Sequence, residues 1–222
     1  MTEVPLPAEP RPGREPVRFE ALPRRAAWRH MGRRTGVEVV FLSGSDAGWE
    51  LRGTSTGLAD GTACSVAYVV TTDRAWRTRS ARVHVRAEAG DATCLVERGA
   101  DDRWTVDGAA RPDLDGCQDV SLAVAVAPLL LPVRRRDLDA AYLAPAALVD
   151  VDLAVTRHER RCGPLVRRSA DGSLGLTYRW PDGSDLHGGV ADGGSGDPWS
   201  DEVVLDPAGL ALEWPGRATR LA

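Results

Sequence analysis

The sequence contains no lysine, no isoleucine and no asparagine, so all 28 of its basic side chains are arginine. The absence of lysine excludes a Walker-type phosphate-binding loop, in which a lysine contacts the phosphates. Because this bias is typical of a GC-rich coding sequence, we do not take the abundance of arginine as a sign of phosphate recognition. The 32 acidic side chains give a net charge of −4, which argues against nucleic acid or anionic lipid as a partner of the chain as a whole.

Cysteine is scarce as well, and its four copies lie far apart with no C-x-x-C pair among them. Such spacing predicts buried free thiols rather than a zinc site or a disulfide framework. No run of residues approaches the roughly 20 apolar positions that a membrane helix requires, so we expect no transmembrane segment. The start of the chain lacks the charged and apolar regions of a secretory signal, and we expect a cytoplasmic protein. The cysteines are Cys64, Cys94, Cys117 and Cys162.

Two stretches of unusual composition divide the 222 residues. Residues 1–23 hold six of the fifteen prolines and little apolar periodicity, which predicts a disordered or extended arm. Residues 24–222 are expected to form a single domain, and a hydrophobic content of 43% is enough for a sizeable core. Within this domain we interpret the glycine-rich stretch 188–196 as a flexible loop insertion.

Apolar and polar residues alternate with a period of two through much of this domain, as a strand with one buried face requires. Asp-Gly, which favours tight hairpin turns because both residues tolerate positive φ, occurs six times. Helix signals are weak, and the best covers residues 137–144. The patterns predict an all-β, mainly antiparallel fold with few short helices. The clearest alternating segments are 82–86, 149–155, 174–180 and 210–214, and the Asp-Gly pairs lie at 60–61, 107–108, 115–116, 171–172, 182–183 and 192–193.

A large antiparallel sheet has to protect its edges, so we expect a curved meander sheet that forms a barrel or a half-open barrel. The inward side chains of such a sheet either fill its interior or leave a ligand cavity. In the strand predicted at residues 120–126, one face carries valine and leucine and the other carries serine and alanine. The small face leaves room for either a neighbouring chain segment or a ligand.

Three clusters in the middle of the chain follow one another closely. They are Trp104 with Asp107-Gly108, the run Leu114-Asp115-Gly116-Cys117-Gln118-Asp119-Val120-Ser121-Leu122, and Leu131-Pro132-Val133-Arg134-Arg135. This order resembles the bacterial family of putative glycolipid-binding proteins. Similar segments flank it and extend the resemblance over residues 26–220. They comprise Tyr68, Asp73, Trp76 and Arg79 before it, and Leu205-Asp206, Gly209-Leu210, Trp214-Pro215-Gly216 and Arg220 after it.

The resemblance implies a curved or barrel-like β domain with an apolar interior, and an amphipathic lipid or glycolipid as its partner. Each buried CH₂ of the lipid would contribute about 0.8 kcal/mol, and tryptophan and arginine at the rim would orient the head group. We therefore expect non-catalytic binding in an apolar groove of the curved sheet. The candidate ligand-binding residues are Trp76, Trp104, Asp113, Asp115, Asp119, Arg134, Arg135 and Trp180.

Arg134 and Arg135 are adjacent in a segment that resembles a strand, so their side chains are expected on opposite faces. One of them could enter the interior and pair with an aspartate of the 113–119 loop, because a buried charge requires a partner. Two interpretations stay open. The arginine either fixes the loop through a buried arginine–aspartate network, or is presented to a sugar hydroxyl or a lipid phosphate at the mouth of a cavity.

No motif for catalysis, a metal or a cofactor emerges. His158, Glu159 and Cys162 imitate a zinc motif, but the preceding residues have strand character and the motif requires a helix. Two other function classes stay open: a structural or protein-interaction module with a filled core, and an enzyme acting on a lipid or sugar derivative through carboxylates of the 113–119 loop. A continuous apolar cavity of roughly 300 Å³ or more would favour lipid binding, and a filled interior would favour the module.

Overall fold

The computed structural model describes residues 18–32, 34–59, 61–135, 140–167, 172–179 and 200–221. Most of the predicted arm, the predicted loop insertion at 188–196 and Trp180 therefore lie outside the described residues. Residues 18–23 have no regular secondary structure, but Phe19 and Leu22 pack against the core. The backbone N–H of Glu20 donates a hydrogen bond of 2.9 Å to the carbonyl of Pro207.

Most of the first half of the chain is one antiparallel meander, in which each strand pairs with the next along the sequence. Its strands are β1 (Arg25–His30), β2 (Arg34–Ser45), β3 (Gly48–Ala59), β4 (Thr62–Thr72), β5 (Thr78–Ala87), β6 (Gly90–Arg98), β7 (Trp104–Val106) and β8 (Ala109–Ala110).

The second half supplies the remaining strands and a short inner layer. Its strands are β9 (Asp119–Leu122), β10 (Tyr142–Leu143), β11 (Ala146–Val149), β12 (Val155–His158), β13 (Arg161–Arg167), β14 (Leu174–Arg179), β15 (Ser200–Leu205), β16 (Ala211–Trp214) and β17 (Ala218–Arg220). Two 3₁₀ turns, Pro112–Leu114 and Ala127–Leu129, and one helix, α1 (Leu130–Arg135), complete the described elements.

The strands form two sheets in the described part of the chain. A sheet of fourteen strands has the order β10-β13-β14-β15-β16-β17-β1-β2-β3-β4-β5-β6-β7-β8, and a sheet of three has the order β12-β11-β9. Only the β9–β11 pairing among those described is parallel. The large sheet is curved and is not closed, so the prediction of an all-β, mainly antiparallel, barrel-like fold is confirmed.

The inner face of the large sheet is covered by the chain itself. Residues 119–133 are all buried; β9 contacts β5, and the 3₁₀ turn before α1 contacts β3. We call residues 122–133 the plug, because this apolar segment occupies the space that the sheet encloses. Of the two interpretations of the small-residue face at 120–126, a neighbouring chain segment therefore has direct support.

The alternating pattern predicted several elements correctly. In β5, Val83 and Val85 are buried between exposed arginines, and the predicted segments 174–180 and 210–214 contain β14 and β16. Asp107 and Gly108 have φ values of 50° and 80° and form the tight turn between β7 and β8, as the Asp-Gly signal predicted. The four cysteines are free, three buried and Cys64 half-buried.

Four local predictions were wrong. The segment 149–155 is two strands joined by a turn, and the strand predicted at 120–126 ends at Leu122. The segment with Arg134 and Arg135 is a helix rather than a strand. Its apolar residues are all buried, so they do not have to alternate with polar residues as in a strand with one buried face. The described part of the helix predicted at 137–144 contains β10 instead. Among the described residues, no helix is long and apolar enough to cross a membrane.

Candidate functional site

Asp119 lies at the centre of a buried charge cluster. It begins β9, is fully buried, and forms ion pairs with Arg135 at the end of α1 and with Arg160 just before β13. Arg160 Nε also donates a hydrogen bond of 2.9 Å to the carbonyl of Ala144. The predicted pairing of one arginine with an aspartate of the 113–119 loop is therefore present. It joins α1 to both sheets, as expected of a network that fixes the loop.

Three other candidate residues do not converge on this cluster. Trp104 is buried, and its indole N–H donates to the carbonyl of Cys117 at 3.2 Å. Asp113 is exposed and pairs with Arg111 at 2.7 Å, and Asp115 is exposed too. The predicted residues that the structure describes are thus distributed over several places.

Trp76 and Arg134 do come together, although they are far apart in sequence. The Arg134 guanidinium lies 5.4 Å from the Trp76 ring and 5.0 Å from the Phe19 ring, both within cation–π range. Trp76 in turn stacks on Trp49, with ring centroids 4.7 Å apart and an interplanar angle of 14°. We call Phe19, Trp49, Trp76 and Arg134 the rim cluster. Burial lowers the pKa of Arg134, against the opposing effect of nearby Asp206.

A turn fixed by Asp73 holds Trp76 in this position. The Asp73 carboxylate accepts hydrogen bonds of 2.9 Å from both the backbone N–H and the Nε of Arg77. Burial raises the pKa of Asp73, but these hydrogen bonds outweigh it and the pKa is lowered overall. Within the turn Trp76 has a φ of 62°, which is costly for a bulky side chain and is found where the surroundings enforce it.

Two grooves open at the edge of the large sheet next to this turn. The first has a volume of about 390 Å³ and is formed by the ends of β2, β3 and β4, with Trp49, Glu50 and Thr71 in its wall. The second has a volume of about 380 Å³ and lies between the β4–β5 connection and the β6–β7 turn. Arg79 on β5 lines both, and we call them the rim grooves.

The charges around the rim grooves are mostly paired. Glu50 accepts from Arg52 at 3.0 Å, Asp73 from Arg77 at 2.9 Å, and Asp102 pairs with Arg98 at 2.5 Å. Within the described part of the chain, Arg79 has no such partner. Its guanidinium is therefore available to an acceptor that enters either groove. Trp49 was missed from the sequence because it falls outside the resembling segments.

A second polar group lies deep under the plug. Glu38 on β2 is fully buried, and its carboxylate accepts hydrogen bonds from the Tyr68 hydroxyl at 2.5 Å and from the backbone N–H groups of Val126 at 2.6 Å and Ala127 at 3.2 Å. Glu38 thereby anchors the middle of the plug. Burial raises its pKa to about 7, although all three hydrogen bonds oppose this shift. Sequence reasoning missed this site, because a single glutamate in an alternating strand looks like an exposed residue.

His30 and Ser55 extend this group toward the edge of the plug. His30 Nε2 lies 3.6 Å from Glu38 Oε2 and 3.4 Å from Ser55 Oγ. Burial, aided by the charge of Arg34, lowers the pKa of His30 to about 4. A hydrolytic triad needs the serine and the acid on different ring nitrogens, whereas here both face Nε2. The arrangement does not match a serine hydrolase.

The interior next to His30 leaves little room. Two cavities lined by His30 and Val124 have volumes of about 20 Å³ each, enough for a single water molecule. The larger spaces are the rim grooves, which are partly polar. The sequence predicted that a ligand would lie inside the sheet; among the described residues the plug occupies that space, and the two larger volumes lie at the rim.

Comparisons with known proteins agree with the fold. A DUF1089 family protein from Pseudomonas aeruginosa is 21% identical over 83% of this chain and 92% of its own, with a TM-score of 0.63. A β-barrel-like protein of the domain of unknown function DUF1849 from Brucella abortus is 12% identical over 92% of this chain and 98% of its own, with a TM-score of 0.52. At these identities the two structures show the fold alone.

No curated protein matches the chain. A family model described as putative glycolipid-binding matches residues 25–168, which is more than half of the 222 residues and includes the plug, the rim cluster except Phe19, and Asp119. The chain therefore belongs to the putative glycolipid-binding family.

Proposed function

We propose that this protein binds the polar head group of an amphipathic lipid or glycolipid in the rim grooves, without catalysing a reaction. The observation that carries the proposal is the position of the available space. The two grooves of about 390 and 380 Å³ meet at Arg79, whose guanidinium is unpaired among the described residues. Each is within the size range of small-molecule sites, whereas the two cavities beside His30 have only about 20 Å³ each.

The chemistry of the grooves suits a sugar or phosphate head group. A guanidinium donates two parallel hydrogen bonds to a phosphate or to neighbouring hydroxyls. Thr71 and the backbone around Gly48 offer further donors and acceptors, and Trp49 contributes an apolar wall that is held in place by its stack on Trp76. The family description, putative glycolipid-binding, is consistent with such a ligand.

The carboxylates support a non-catalytic role. Acid–base catalysis on a lipid or sugar derivative would need two carboxyl groups facing one substrate. Asp119 is instead paired with two arginines, Asp113 with Arg111, and the groove carboxylates Glu50, Asp73 and Asp102 with arginines of their own.

A second candidate, a structural or protein-interaction module, is favoured by the plug, because a filled interior needs no ligand. Native mass spectrometry separates the two. The protein is purified from the cells that naturally make it, and bound molecules are identified after solvent extraction. The proposal expects an amphipathic lipid adduct on the wild-type chain.

Arg79→Ala is the variant that locates the site, and Arg161→Ala is its control, an exposed arginine on β13 that lines neither groove. We expect the adduct to be reduced at least tenfold in Arg79→Ala and retained in Arg161→Ala. An adduct that survives Arg79→Ala would place the site elsewhere, and the absence of any adduct on the wild-type chain would favour the module.

A further inference from the structure

The outer face of strands β1–β6, which points away from the plug, is not covered by any described residue. Large apolar side chains stand open on it: Phe41 is 57% exposed, Val37 43% and Val39 39%. Exposed apolar side chains that form a contiguous patch mark interaction surfaces. We call this side of the six strands the outer face.

The strand register orders these side chains with the arginines. Directly paired positions run across six strands in one row that alternates between arginine and an apolar residue. Paired side chains in neighbouring strands lie about 5 Å apart, so the arginines recur about every 10 Å. The row consists of Arg25, Phe41, Arg52, Val69, Arg82 and Leu95.

Two further rows lie on one side of this row. One row holds Val39 and Ala67 with His84, and the row beyond it holds Arg29, Val37 and Arg86 before it reaches Asp91. Five arginines thus share these three rows with a single carboxylate, and the row on the other side adds Glu50, which pairs with Arg52, and Glu97. The arginines still outnumber the carboxylates, although the chain as a whole carries a net charge of −4. The outer face is a local basic and apolar surface on an acidic protein.

We propose that the outer face docks on an anionic phospholipid bilayer. Guanidinium groups pair with lipid phosphates while the interleaved apolar side chains enter the boundary between head groups and acyl chains. Long arginine side chains suit this position because their apolar stems lie along the surface and their charged ends reach the phosphates. The next row along the strands contains Glu50 and Thr71 of a rim groove, so docking would bring that groove close to the membrane.

Two other occupants fit the outer face less well. A second copy of the chain would bring arginine rows against arginine rows, which like-charge repulsion disfavours. Nucleic acid would pair with the arginines, but phosphates and base edges gain nothing from the exposed valines between them. The proposal does not depend on head-group binding in the rim grooves.

Vesicle co-sedimentation of the full chain tests the proposal. Vesicles of phosphatidylcholine alone are compared with vesicles of equal parts phosphatidylcholine and phosphatidylglycerol. We expect binding to the anionic vesicles only, weakening as salt is raised. Arg25→Gln/Arg52→Gln should lower the partition coefficient by about fivefold for each arginine, and so about 25-fold for the pair. Phe41→Ser should lower it several-fold and leave the salt dependence unchanged.

The matched control is Arg74→Gln/Arg103→Gln, which removes the same charge from two exposed arginines in turns away from the outer face. Thermal melts establish that all variants are folded. Equal losses in the control and the outer-face variant would overturn the proposal, as would equal binding to neutral and anionic vesicles. The proposal is also overturned if the protein binds an oligonucleotide but not the anionic vesicles. A further contradicting result would be a wild-type protein that forms a dimer and does not bind vesicles, with the dimer lost in Phe41→Ser. A lost lipid adduct in Arg79→Ala bears on the rim grooves alone.

Discussion

Glu38 and His30 lie 3.6 Å apart under the plug, and burial favours the neutral form of both. The pKa of Glu38 is raised to about 7, so its contribution to stability is full at acidic pH and is lost as pH rises toward 7. The pKa of His30 is lowered to about 4, so its contribution is full above the ordinary histidine value and is lost as pH falls toward 4. Across the mildly acidic range the two contributions oppose each other.

Glu38→Gln should separate the contribution of His30 from that of Glu38. With the glutamate removed, the His30 contribution stands alone, and the free energy of unfolding should fall by up to about 3 kcal/mol from pH 7 to pH 4 relative to wild type. His30→Gln should show the reverse, a relative loss as pH rises. Denaturant unfolding at a series of pH values measures both. If the unfolding free energies of wild type, Glu38→Gln and His30→Gln change with pH in parallel, neither group titrates with its shifted pKa.

Asp119→Asn should be among the most destabilising polar substitutions in this chain. It leaves Arg135 and Arg160 buried without their shared carboxylate, and the loss of one member of a buried ion pair costs about 3–5 kcal/mol of unfolding free energy. Asp113→Asn, in the same loop but exposed, serves as the control and should leave the denaturant midpoint unchanged. Similar losses of unfolding free energy in Asp119→Asn and Asp113→Asn would mean that the buried cluster does not fix the loop.

At the scale of elements, the sequence predicted what local periodicity determines and missed what burial determines. Strands β5, β14 and β16 were found because apolar and polar residues alternate along each of them. The segment Leu130–Arg135 was misread because its four apolar residues, 130–133, are all buried, so neither the helical nor the strand period is visible in it. The sequence predicted that one of the two arginines pairs with an aspartate of the 113–119 loop, but not which arginine or which aspartate. Trp49 and Glu38 acquire their roles only from the register of β2 with β3 and from the plug.

Gly53→Ala should test how tightly the strand register positions Glu38. Gly53 pairs directly with Tyr68, and a Cβ added there would lie 2.1 Å from the phenol ring. The ring must move, so we expect a loss of about 1–3 kcal/mol in unfolding free energy and a weaker hydrogen bond to Glu38. In the control Gly99→Ala, the nearest atom is a carboxylate oxygen of exposed Asp101, which can rotate away. Equal stability of the two variants would contradict the tight packing inferred for Tyr68.

At the scale of the whole molecule, the inner and outer sides of the large sheet have separate roles. The inner side is closed by the plug and fixed by Glu38 and Asp119. No described residue covers the outer side or the rim, and they carry both the arginine rows and Arg79, which has no ion-pair partner in the described part of the chain. A glycolipid held by its head group at the rim could keep its acyl chains in a docked bilayer, and a filled interior is then compatible with lipid binding.

Arg134 connects the rim to residues 18–22, because its guanidinium donates to the carbonyls of Glu20 at 3.0 Å and Ala208 at 3.1 Å and lies against the rings of Phe19 and Trp76. Arg134→Gln should therefore release residues 18–22 and lower the unfolding free energy by about 1–2 kcal/mol, a value reduced for its partial exposure. Hydrogen exchange should accelerate at the Glu20 amide, which donates to Pro207, and stay unchanged in β2 and β3. Arg103→Gln is the control. Uniform acceleration through all strands would instead mean that Arg134 stabilises the sheet as a whole rather than the contact between its rim and the start of the described chain.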